Sequence, residues 1–64
     1  MLPFQQRVVD EKRELSEKLD KLMTFIRGPM FANVDPAEQE RLTRQSKLMD
    51  EYAGVLAERI SEFK

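Results

Sequence analysis

An all-α fold, a hairpin of two long helices that assembles into a symmetric homo-oligomeric bundle, is what this sequence predicts. Three observations carry the prediction. From Phe4 to Arg27 no Gly or Pro interrupts a run in which apolar residues recur at steps of three, four or seven. A second periodic run covers residues 36–63, and between the two lies a Gly-Pro break followed by a helix-start signature.

Helix 1 is expected over about residues 4–27. Val8, Leu15, Leu19, Leu22 and Ile26 share the spacing of one helical face. Pro3 suits a helix start, where its missing N–H is no loss. Gly28 and Pro29 supply the stop, the first through access to positive φ and the second because it cannot extend a helix. The connection then occupies residues 28–35. Helix 2 opens on Asp35-Pro36-Ala37-Glu38, in which Asp35 caps, Pro36 takes the first helical position and Glu38 stands where a capping-box side chain belongs. It is expected over about 36–63. Leu42, Met49, Leu56 and Phe63 repeat every seven residues along it, with Leu48, Val55 and Ile60 widening the stripe. Gly54 interrupts this helix at about 1 kcal/mol against Ala, and stands either for a bend or close backbone approach or for a tolerated blemish.

Sixty-four residues make one domain, and a chain this short buries only about 60% of the surface its unfolded form exposes. With no Cys and no His, neither disulfides nor a zinc site are expected to make up the deficit, which leaves self-association. At roughly 36 and 40 Å long, two antiparallel helices cover only one side of each other's apolar stripe. The 11 basic and 12 acidic residues give a formal net charge of −1, so long nucleic acid is not an expected partner. No apolar run approaches a membrane span, and residues 1–7 lack a signal-peptide pattern, so a soluble cytoplasmic protein is expected.

Three features break the pattern. Continued through the gap between Val8 and Leu15, the helix 1 stripe passes through Lys12, which either snorkels to solvent, sets the register of an assembly, or meets an anion at an interface. On helix 2 a row of Gln45, Tyr52 and Arg59 flanks the apolar row; it reads either as a bundle boundary or as a polar surface able to hold phosphates and bases. In the connection, Met30, Phe31 and Val34 are too apolar for an idle loop. Phe31 and Val34 can plug the bundle end, while Arg27 and the backbone N–H at Gly28 can border a phosphate site. Without His or Cys, and with no activating pattern around the Ser and Thr residues, no catalysis, metal or cofactor is expected. The chain reads as a binder.

Several stretches in order carry a resemblance: Gln5-Gln6-Arg7-Val8-Val9-Asp10-Glu11, Phe25-Ile26, Glu40-Arg41-Leu42 with Arg44-Gln45, and Met49, Tyr52, Leu56 and Glu58-Arg59-Ile60. Over nearly its whole length the chain resembles small bacteriophage anti-CBASS sponges. The resemblance implies compact helical hexamers in the host bacterial cytoplasm that sequester cyclic dinucleotides, such as 3′,3′-cGAMP, and cyclic trinucleotides without cleaving them. It implies a dinucleotide pocket between two protomers, bordered here by Lys12, Arg27, Gly28 and Pro29, and a trinucleotide site to which Arg59 and Phe31 would belong. The family pattern carries a base-stacking aromatic where this chain has Lys12; stacking contributes about 1–3 kcal/mol per base, so ring or base preference would differ. The alternative from another class is a structural or regulatory protein whose helical faces dock a protein partner.

Overall fold

The computed structural model describes residues 1–63. Helix α1 spans Pro3–Arg27, a single 3-10 turn spans Pro29–Asn33, and helix α2 spans Pro36–Ser61. Among the described residues there is no strand, and the all-α hairpin expected from the periodicity is what forms. The Leu2 N–H at the head of α1 donates to Gln5 Oε1 at 2.9 Å, tying the chain back onto the first turn. At the head of α2 the Asp35 carboxylate accepts from the Ala37 N–H at 3.1 Å, and Pro36 occupies the first turn.

Three details depart from the sequence reading. The Glu38 carboxylate pairs with Arg41 Nε at 2.7 Å, an exposed contact of the kind that replaces a capping box when a cation stands three residues further on. Gly28 ends α1 at φ −85°, so positive φ is not what it supplies. What it supplies is space: a Cβ there would lie 3.2 Å from the Thr24 carbonyl oxygen. Finally, α2 stops at Ser61 with Glu62 as its cap, two residues short of the expected end.

The connection is held by one side chain on α2. Gln39 Nε2 donates to the Phe31 carbonyl at 2.8 Å and to the Val34 carbonyl at 2.9 Å, pinning the middle of the apolar turn and the residue that caps it. Replacing Gln39 with Leu leaves those carbonyls without this partner and is expected to destabilise the hairpin by about 1–2 kcal/mol, read as a lower midpoint in urea. An unchanged midpoint would mean water substitutes fully.

The two helices meet along two matching rows. On α1 the row is Gln5, Val8, Lys12, Leu15, Leu19, Leu22 and Ile26; on α2 it is Leu42, Ser46, Met49, Ala53, Leu56 and Ile60, continued by Phe63 just past the helix end, each stepping alternately by three and four residues, and all of these side chains are buried or half-buried. Leu56 is 0% exposed and Val8 5%. Aromatic pairs close both ends: Phe4 stands edge-on to Phe63 at 6.0 Å, and Phe25 to Phe31 at 6.2 Å. Leu48 and Val55, expected to widen this stripe, face away from α1, at 57% and 50% exposed. The seam prefers Ser46 and Ala53 because a heptad line admits whatever stands on it. The Ser46 hydroxyl, which donates to the Thr43 carbonyl at 2.7 Å, needs no partner on α1.

The result is thin, with extents of 46 × 14 × 13 Å and a radius of gyration of 14.6 Å, against about 11 Å for a compact domain of this length. Its accessible surface is 4991 Å², while a monomer of 7.6 kDa averages about 4,300 Å². Gly54 is exposed, and a Cβ built on it would have nothing within 4 Å, so the close approach considered for it does not occur within one chain. Gly54→Ala is expected to raise hairpin stability by about 1 kcal/mol through helix propensity alone, seen as a higher melting temperature at low protein concentration.

Candidate functional site

Along one flank of the hairpin an open groove runs between the two helices. Its floor is small because α2 presents Ala53, Gly54 and Ala57 opposite Lys12 and Ser16 of α1. The Lys12 position follows directly: a lysine on the seam is half-buried without clashing because the facing residues are Ala and Gly. At the end near the chain termini the groove opens into a recess of about 620 Å³ bordered by Val9, Lys12, Arg13, Ala57 and Ile60. Towards the connection it continues into a smaller one of about 370 Å³, with Arg27 and Lys47 at its rim and Leu19, Met23 and Ser46 beneath.

Both recesses carry cations and acids in equal number: Lys12 and Arg13 with Glu17 and Asp20 near the termini, Arg27 and Lys47 with Asp20 and Asp50 towards the connection. An anion is therefore held in either recess only by direct contact with a cation, not by the net charge of the lining. The ion pairs formed among the described residues are Arg13–Asp10 at 3.3 Å, Arg41–Glu38 at 2.7 Å and Arg44–Glu40 at 3.8 Å. Lys12, Arg27 and Arg59 take part in none of them, so all three cations singled out in the sequence keep their donors available. Arg7, Lys18, Lys21 and Lys47 share that property, so an unpaired cation alone does not mark a site.

The residues expected to work together are not brought together by a single chain. Lys12 and Arg27 lie on the same groove but fifteen positions apart on α1, about 22 Å along the axis. Phe31 borders a separate recess of about 470 Å³ with Gln39, Thr43, Arg44 and Lys47. Arg59 sits twenty residues beyond Gln39, about 30 Å away. The Gly28 N–H, expected to face a phosphate, donates to the Phe25 carbonyl at 3.1 Å; a helix that ends in this turn uses that donor itself, and Pro29 has none. The floor of Ala53, Gly54 and Ala57 and the central Asp20–Asp50 pair were missed by sequence reasoning. The signal for the floor was present in the run of small residues at helical spacing.

Fold and groove together define an all-α helical hairpin with an open groove along one flank. The profile of a family described as Sequestin matches residues 2–62, and the chain belongs to that family. It is similar to an uncharacterised 7.5 kDa protein from the denB–rIIB intergenic region of Enterobacteria phage T4, with 39% identity over 64 residues covering all of both chains. No solved structure matches.

Proposed function

We propose that this is a phage protein that sequesters a small nucleotide-derived signalling molecule inside the infected cell without degrading it, with cyclic dinucleotides and cyclic trinucleotides as the ligands the sequence resemblance names. The observation that carries the reading is the groove, each of whose two recesses offers a cation that takes part in no ion pair among the described residues, Lys12 in one and Arg27 in the other. The family description and the phage relative support sequestration and a phage setting. Lys12 and Arg27 meet phosphates, and because they are about 22 Å apart in one chain, a compact ligand reaches both only when a second copy supplies one of them. Homo-oligomerisation, up to the hexamer the resemblance implies, follows from that need. At the Lys12 end the contact is with charge rather than with a stacked aromatic ring. Arg59 and Phe31 would serve the larger rings at a separate site, also shared between copies.

Isothermal titration of the full chain with cyclic dinucleotides and trinucleotides, followed by chromatography of the released ligand, tests this. Binding with intact ligand recovered is expected. Arms with linear dinucleotides and with pyrophosphate-bridged nucleotides separate recognition of a ring from recognition of adjacent phosphates. If no member of the panel binds while a protein partner is retained from infected cells through the exposed Leu48–Tyr52–Val55 face, the docking alternative replaces the sponge.

A further inference from the structure

We infer that the recess towards the connection selects guanine, so that the rings held there are those carrying at least one guanine base; this rests on the proposed sequestration of cyclic nucleotides and adds the chemistry by which a base is chosen. The recess is polarised along its length. On α1 Arg27 stands seven positions beyond Asp20, about 10 Å along the axis, and on α2 Lys47 lies one turn before Asp50. Because the two helices run in opposite directions, both carboxylates fall towards one end and both cations towards the other. Leu19 and Met23, half-buried on α1, supply an apolar floor. Asp20, Asp50, Arg27 and Lys47 take part in no ion pair among the described residues.

A nucleotide is polarised in the same sense, with its phosphate at one end and the Watson–Crick edge of its base at the other. With the phosphate on Arg27 and Lys47, the base lies over Leu19 and Met23, whose thioether suits an aromatic ring, and its edge meets Asp20 and Asp50. An ionised carboxylate only accepts hydrogen bonds. Guanine sets two adjacent donors at that edge, N1–H and the N2 amino group. Adenine places the N1 lone pair beside its amino group, cytosine does the same with N3, and uracil flanks its one N–H with two carbonyl oxygens. Guanine alone meets a pair of carboxylates without turning a lone pair against one of them, and a site built around such acceptors rejects a base that leaves them unpaired. At about 370 Å³ the recess is near the lower limit of small-molecule pockets, so it takes one nucleotide of a ring and leaves the rest to the second copy.

Isothermal titration of the full chain with cyclic di-GMP, cyclic di-IMP and cyclic di-AMP tests the selection. The parent protein binds the guanine ring about tenfold to a hundredfold more tightly than the adenine ring. The hypoxanthine ring, which keeps N1–H and lacks the amino group, falls between them. Asp20→Asn and Asp50→Asn lie at exposed helix positions and leave helicity unchanged, while each shrinks the guanine-to-adenine ratio about tenfold. The ratio is the readout because removing a negative charge strengthens the binding of every anion alike. Equal affinity of the parent for the guanine and adenine rings, or a ratio that neither variant moves, overturns the inference and leaves sequestration standing. Binding of no ring at all removes the proposed function, and the selection with it.

Discussion

Leu56→Ala is expected to unfold the chain under conditions where the parent protein is fully helical. Leu56 is 0% exposed, and no other large side chain among the described residues is fully enclosed. Truncating a buried Leu costs about 2–5 kcal/mol once the cavity is counted. A 64-residue domain has about 3–10 kcal/mol in total, so most or all of the stability of a hairpin with so small a core goes with this one side chain. Far-UV circular dichroism through a urea titration reads the effect. Leu48→Ala is the matched control, because Leu48 is the same residue type on the same helix but 57% exposed; at concentrations low enough for a single chain its cost stays near the about 0.5 kcal/mol of an ordinary surface change. Equal losses at the two positions would mean that α2 presents a different face to α1.

The same contrast explains what the sequence made legible. Periodicity located both helices, because a three-four alternation of apolar residues survives in any thin hairpin, and Pro3, Gly28, Asp35 and Pro36 marked their ends. It could not say which of two adjacent stripes on α2 faced inward. Leu42, Met49, Leu56 and Phe63 belong to the inner row, yet Leu48 and Val55 are as apolar as they are and lie one helical step away. Hydrophobicity alone therefore assigned both rows to one core, while Ser46 and Ala53, which share the inner line, carried no signal of burial. The cations were legible as anomalies, and the structure keeps Lys12 on the seam as expected. Their distances were not. Two residues fifteen positions apart on one rigid helix cannot converge, so pairing Lys12 with Arg27, or Phe31 with Arg59, on one ligand requires a copy of the chain that the sequence does not describe.

That requirement gives the second large effect its diagnostic value. Under the proposed function, Lys12→Ala and Arg27→Ala are each expected to lower affinity for a cyclic nucleotide by about 10–100-fold, the loss of a charge-assisted hydrogen bond of roughly 1.5–3 kcal/mol. Helicity should hold, since Arg27 is exposed and Lys12 contributes only its stem to the seam. The double variant then carries the argument. Substitutions more than about 10 Å apart without shared partners add within roughly 0.5 kcal/mol, and within one hairpin these two positions are about 22 Å apart. If each served a site of its own, the losses would combine additively. Coupling well above that margin arises only when a single ligand is gripped by Lys12 from one copy and Arg27 from another. The coupling should then vanish, along with tight binding, in whatever variant separates the copies.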